Sequence, residues 1–262
     1  MILKLFISVS LLTISSLLLC QQQTPVNQTD PKGKKQGHWV KLYPDQTILY
    51  DGYFKDDHPV GEFKRYYEDK TLKSVLIFSK NGKEADATLY HPNGYIASKG
   101  KYANQKKEGK WKFYSSEIKD YLISEGTYSG DLRNGVSLSF YPDSTVAEKV
   151  MYVNEIRHGE WTRYYPGGSL LLKANYINGR LEGRFETWFG DGKIEYSGQY
   201  KNDARDGEWI LYKEDGTVKY KIEYIDGITN DRQMDIDQSK HLDEIEKNKD
   251  NVQDPEKTRI MK

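Results

Sequence analysis

Apolar residues in this chain fall in columns 24 residues apart, and no segment shows the 3.6-residue apolar period of a helix. One column, taken here as the anchor, holds Gly37, Gly61, Ala85, Gly109, Gly135, Gly159, Gly183 and Gly207. The spacing is 24 throughout, except for 26 where YSSEIKDYL intervenes. Two residues after the anchor stand Trp39, Phe63, Ala87, Trp111, Ser137, Trp161, Phe185 and Trp209. Position five is aromatic in every unit but the first, which has Leu42. Position eleven is aliphatic from Ile48 to Val218, and position seventeen is aromatic from Phe54 to Tyr224. A pattern kept through eight units defines the architecture before any single residue is interpreted.

Each unit reads as a hairpin. A strand of the form G-x-[WF]-x-x-[YF]-Y runs into a turn such as Pro166-Gly167-Gly168 or Pro92-Asn93-Gly94. A second strand follows, and a turn such as Asn178-Gly179-Arg180 leads to the next anchor. The expected fold is all-β, an elongated antiparallel β-meander of eight 24-residue hairpin repeats. Sixteen strands spaced ~4.8 Å apart make a sheet on the order of 75 Å long. Strict alternation sets positions five and eleven opposite one another and places position seventeen on their face. The ring at position two has the other parity, so either both faces are partly apolar or a bulge shifts the phase. Position fifteen is Gly52, Gly100, Gly126 or Gly198 in four of the eight units. Glycine within a strand marks a bulge or the close approach of a large neighbour, and space for the position-two ring is the favoured reading.

The alternation of G-[EK]-W-x-x-Y-Y, as in Gly159-Glu160-Trp161, with x-x-D-G and Y-x-x-G resembles the MORN repeat. The bacterial variant of that repeat, the YwqK-type antitoxin-like family, is the nearest form. The resemblance covers about residues 27–228, with departures at Ala85 and Ala87, at Ser137, and at the insertion in unit four. It implies an elongated β-meander that mediates interactions, with lipid binding proposed for some eukaryotic members.

The flanks differ in kind. Residues 1–20, MILKLFISVSLLTISSLLLC, read as a signal peptide: Lys4 precedes a short apolar run, and nothing basic follows it at once. Cys20, the single cysteine, sits where an acylated lipoprotein cysteine would sit, although Leu19 before it departs from that motif. Cleavage after Cys20 is the alternative. Either outcome leaves the mature chain without a disulfide and places it in the bacterial periplasm or cell envelope. Asn27-Gln28-Thr29 is a formal glycosylation acceptor. Residues 21–36 form a polar linker and N-terminal cap, 37–230 the repeat domain, and 231–262 a charged tail, disordered or a short helix over about 236–249.

Composition narrows the chemistry. The 39 basic and 39 acidic residues give no basic excess, so no nucleic-acid partner is expected. The five histidines occupy unrelated phases of the repeat, and acidic pairs such as Glu68-Asp69 fall at turns. No catalytic, cofactor or metal cluster is visible, and the chain is expected not to be an enzyme. The residues with recognition potential are the aromatic ones at position six, Tyr43, Tyr67, Tyr141, Tyr165 and Phe189. Their parity opposes position five, which makes them the more exposed set if position five is buried. The expected partner is another envelope protein, with lipid or glycan as alternatives, and the expected role is an exported interaction scaffold. The oligomeric state is open.

Overall fold

A computed structural model describes residues 25–79, 82–232, 235–236 and 239–240. The expected signal peptide, Cys20 and the tail beyond 240 lie outside the described residues, as does most of the helix expected over 236–249. The strands are β1 (Gln28–Thr29), β2 (Lys35–Leu42), β3 (Ile48–Lys55), β4 (His58–Tyr66), β5 (Leu72–Phe78) and β6 (Glu84–Tyr90). They continue as β7 (Ile96–Ala103), β8 (Lys106–Tyr114), β9 (Leu122–Ser129), β10 (Leu132–Phe140), β11 (Val146–Val153) and β12 (Ile156–Tyr164). The last are β13 (Leu170–Ile177), β14 (Arg180–Leu181), β15 (Gly183–Trp188), β16 (Ile194–Lys201), β17 (Ala204–Tyr212) and β18 (Val218–Tyr224). Every pairing is antiparallel and joins neighbours in sequence, with β14 and β15 sharing the side of β13. The result is one open meander sheet.

Two bulges per unit set the phase. Within each hairpin the register slips between positions four and five, as at Arg163/Tyr164, where Arg163 faces Leu172 but Tyr164 faces Leu170. The anchor glycine makes the second. Gly52 faces Phe63 but Tyr53 faces Val60, so Gly61 and Glu62 are extra residues on β4. Gly61 has φ 65° and Gly109 φ 68°, left-handed values that a side chain would strain. Unit three tests this reason. Its anchor is Ala85, which is absent from the positive-φ residues, and β5 pairs with β6 with no slip at all. The period survives because the connecting turn is wider, closed by the Ser79 amide on the Glu84 carbonyl at 2.9 Å.

The hairpin bulge corrects the expected faces. Positions five and eleven are opposite, but position seventeen does not join them. It lies with positions two, four, thirteen and fifteen on the other face, and that face holds the core. Trp111, Trp161, Phe185 and Trp209 at position two and Tyr224 at position seventeen are all at most 1% exposed. A single-layer sheet has no second layer to supply this burial, so the columns cover one another. Phe185 stands 5.6 Å from Trp209, and Trp209 6.3 Å from Tyr224, ring centre to ring centre. Each such ring removes roughly 150–250 Å² from water. On the opposite face lie solvent-side ion pairs such as Glu160–Lys173 and Glu208–Lys221, each 2.9 Å. Pairs this exposed are worth about 0–1 kcal/mol each.

Glycine at position fifteen is what admits the ring. A Cβ on Gly100 would lie 2.2 Å from Trp111 Cδ2, and one on Gly198 2.2 Å from Trp209 Cδ2. The ring therefore lies flat on the glycine of the preceding unit, where its indole N–H donates to a backbone carbonyl: Trp111 to Lys101 at 3.0 Å, Trp209 to Gln199 at 3.1 Å. Where position fifteen is Val150, Trp161 instead turns its N–H to the Glu148 carboxylate at 2.7 Å. In unit three the sizes are exchanged, and Leu76 faces Ala87. In unit five both partners are small, Gly126 and Ser137, and Ser137 Oγ is buried without a hydrogen bond. The core divides there into one cluster from Ala87 to Tyr128 and another from Val150 to Tyr224.

Placing a methyl group beneath the ring should be costly. Gly198→Ala is expected to destabilise by about 1–3 kcal/mol, and Trp209→Ala by about 3–5 kcal/mol, in urea unfolding. The exchanged pair Gly198→Leu/Trp209→Ala should lose less than the sum of its single changes, as Leu76 and Ala87 already demonstrate.

Candidate interaction surface

The position-six residues sit at the first turn of each hairpin, where the chain leaves β2, β4, β10, β12 and β15. Tyr43, Tyr67, Tyr141, Tyr165 and Phe189 are all half-buried, as are the position-five residues other than exposed Leu42. The expected contrast in exposure between the two columns is absent, because the bulge between positions four and five turns both toward the sheet's turn edge. Four of the five hydroxyl or ring tips are also occupied. Tyr43 donates to the Tyr66 carbonyl at 2.9 Å, Tyr67 to Tyr90 at 2.8 Å, Tyr141 to Tyr164 at 2.7 Å and Tyr165 to Trp188 at 2.8 Å. Each tyrosine thus latches its unit onto position five of the next. Burial raises the phenol pKa of Tyr67, Tyr141 and Tyr165, in keeping with donors held away from water.

The latch persists where the sequence changes. His91 meets the Tyr114 carbonyl through Nε2 at 3.1 Å, which requires the proton on that nitrogen. Unit four has Ser115 at position six, and its Oγ caps the inserted turn by accepting from the amides of Glu117 and Ile118, both at 3.0 Å. Tyr121, brought in by the insertion, reaches the Phe140 carbonyl at 2.6 Å instead. Sequence reasoning overlooked Tyr121 because the insertion moves it out of its column. The signal for it was the loss of tyrosine at position six beside a new one nearby.

Phe189 is the exception. It has the ring of a latch but no hydroxyl to carry to the next unit. Beside it a groove of about 500 Å³ opens between units seven and eight, lined in part by Phe189, Tyr196, Tyr212, Lys213, Lys219 and Tyr220. Glu195, 9% exposed, lies in its wall and accepts from Thr187 Oγ1 at 3.3 Å. Burial raises the Tyr196 phenol well above its ordinary value. Of the five predicted residues, the structure places four in structural bonds and one at a concave aromatic surface.

The other polar groups with candidate chemistry are placed structurally. At the first turns Asp45, Asp69, Asp143 and Asp215 each accept the backbone amide and hydroxyl of the threonine two residues on. At the other edge the turns are stacked in a ladder. Asp57, Asp131 and Asp203 accept the amides of Lys35, Lys107 and Leu181 in the preceding unit, at 2.8, 2.6 and 2.6 Å. The cations beside those turns lie over the aromatic face: Lys107 Nζ is 4.4 Å from the Tyr128 ring centre and the Arg133 guanidinium 4.0 Å from Tyr152. Among the described residues no three His, Cys, Asp or Glu side chains are grouped to hold a metal ion.

The model of the MORN repeat variant matches this chain at residues 59–81, 157–178, 181–202 and 205–226. These four windows carry the MORN repeat variant. The matched windows open just before an anchor glycine and close at the following tight turn, so one MORN window is one hairpin with its edge ladder. Units three to five, which hold Ala85, the insertion and Ser137, keep the hairpin without matching the model. No curated protein matches the chain. Among solved structures, a mutant of TarM from S. aureus, in complex with fondaparinux, alpha-GlcNAc-glycerol and UDP, is 12% identical over 37% of this chain and 19% of that one. Its TM-score of 0.28 is too low to carry an argument.

Removing a latch hydroxyl and adding one should have opposite effects. Tyr165→Phe should cost about 1 kcal/mol in urea unfolding, and Phe189→Tyr should gain a similar amount by reaching the Tyr212 carbonyl. Turn carboxylates give a pH signature. Bonds from threonine hold Asp45, Asp69, Asp143 and Asp215 below the ordinary carboxylate range. Their contribution is therefore complete above the unfolded carboxylate pKa and lost as pH falls through the lower folded values. Changing all four to Asn should flatten the acid limb of melting temperature against pH. The fold should survive, since Asn93 already accepts the Tyr95 amide at 3.0 Å in the same turn.

Proposed function

We propose that this repeat protein is an exported, non-catalytic scaffold of the bacterial cell envelope that binds another envelope protein at the groove between units seven and eight. The observation that carries the reading is Phe189. Along an edge where Tyr43, Tyr67, His91, Tyr121, Tyr141 and Tyr165 bond to the next unit, it leaves an aromatic surface without a hydroxyl latch, beside a cavity large enough for a partner's side chains. Aromatic rings edged by charges of both signs are the usual material of a protein-binding surface. The dispersal of acidic residues to turns supports a binding role over catalysis. Export is supported by the apolar segment at residues 5–19, and an anchored form by the position of Cys20. The YwqK-type antitoxin role is the second reading; it requires the chain to stay in the cytoplasm.

Cell fractionation separates these roles. A mature chain beginning near residue 21, found outside the cytoplasm, is expected; a full-length cytoplasmic chain would leave the antitoxin reading in its place. Crosslinked pull-down from envelope fractions should lose its main partner with Phe189→Ser or Phe189→Tyr and keep it with Tyr165→Phe. Retention of glycan or lipid rather than protein would change the partner class.

A further inference from the structure

The two ends of the sheet are finished differently. At the first, β1 pairs with Lys35 and Gln36, and the Asn27 amide takes the His38 carbonyl at 2.8 Å. The Asn27 side chain then imitates a strand: Nδ2 donates to the Val40 carbonyl at 3.0 Å, and Oδ1 accepts the Val40 amide at 2.8 Å. That edge is sealed through Val40.

At the other end a ninth unit starts and stops. Asp226 and Gly227 form the usual left-handed pair, with φ 46° and 83°, and Ile225 bridges Ile228. The anchor position is then Asp231 in place of glycine, and position two is Gln233 in place of a ring. There the chain leaves the sheet: the Asp235 amide bonds the Asp231 carbonyl at 3.1 Å. The Asp235 carboxylate accepts from Arg205 Nη1 at 3.0 Å and from the Tyr224 hydroxyl at 2.8 Å. Burial and that bond push the Tyr224 phenol up to about 12. Among the described residues no strand lies beyond β18. Its Tyr220, Lys221, Glu223 and Tyr224 correspond to Tyr196, Ser197, Gln199 and Tyr200, which in the preceding unit pair with β17.

We propose that the β18 edge pairs antiparallel with the same edge of a second copy, joining two sheets across a two-fold axis. Three observations select this occupant. Because the first edge is sealed, β18 cannot add onto β2 of another copy, and a closed dimer replaces an open filament. Ile225 is already bridged and Lys219 is the extra residue of the hairpin bulge, so regular pairing runs from Tyr220 to Tyr224, and the two-fold register that uses this length is centred on Ile222. In that register Lys221 faces Glu223 twice on the charged face, and Tyr220 faces Tyr224 twice on the aromatic face. The two Ile222 residues meet on the axis, and each Lys221 is also held by its own Glu208 at 2.9 Å. Finally, Val218, Ile225 and Ile228 are 45%, 71% and 74% exposed at this end, apolar surface of the kind a partner covers.

Sedimentation velocity of the purified full-length chain across a concentration series tests the proposal. A monomer–dimer equilibrium is expected. Glu223→Lys, which sets lysine against lysine twice, should raise the dimer dissociation constant at least about tenfold. Lys221→Glu/Glu223→Lys should restore it. Both residues changed are exposed, so melting temperatures should change little and loss of the dimer cannot be mistaken for unfolding. A chain that is monomeric throughout the series, or a dimer indifferent to Glu223→Lys, would overturn the proposal. Failure of the double exchange to restore the dimer would overturn the register. A monomer that dimerises only after residues 241–262 are deleted would show that the chain's own tail occupies the edge instead.

Discussion

The sheet depends on laying a large aromatic ring flat against the backbone of the preceding unit. A single-layer sheet offers its residues no opposing layer, and two-stranded pieces alone are marginal. Glycine at position fifteen removes the side chain that would hold the ring away, and the indole N–H reaches a backbone carbonyl only because the ring lies that low. Trp111 over Gly100 and Trp209 over Gly198 show the arrangement directly. The variations follow the same volume rule. Val150 lifts Trp161 toward Glu148, Leu76 takes the space that Ala87 vacates, and Gly126 with Ser137 leaves the core in two parts.

Around this contact each unit is fastened to its neighbours at both edges. Tyrosine latches hold the first turns, and turn carboxylates accept the preceding unit's amides at the second turns. Every one of these bonds runs between adjacent units, so stability is close to a sum of unit and junction terms along one dimension. The junction at Ser137 keeps its strand pairing but lacks the ring, which makes it the poorest in buried apolar contact. The ends of such an array are special by necessity. Asn27 closes one with a side chain that copies a strand, while past Asp231 the chain leaves the sheet and Asp235 bonds back to Arg205 and Tyr224.

Much of this was legible in the columns. Period, hairpins, turn residues and the pairing of positions five and eleven follow from spacing and from the backbone needs of glycine, proline and asparagine. Space for the ring at position fifteen was legible too, since only a close approach explains so many glycines inside strands. The face of position seventeen was not. Alternation assigns faces by counting, and one extra residue such as Leu171 in the β12–β13 hairpin reverses every assignment after it.

The recognition column shows the same division more sharply. The sequence by itself determined that aromatic residues line position six, and that Phe189 alone among the five candidates lacks a hydroxyl. Only the tertiary structure decided what those hydroxyls do, because their acceptors are carbonyls 23 residues away in the next unit, as with Tyr165 and Trp188. A backbone carbonyl carries no residue type, so no pattern of letters marks it as a partner. Tyr121 is the clearest case: its place in the chain is irregular, yet its hydroxyl arrives at the same acceptor position as its regular counterparts. Side-chain pattern determined the units, and the distance between backbones, set by rings resting on glycine, decided how they join.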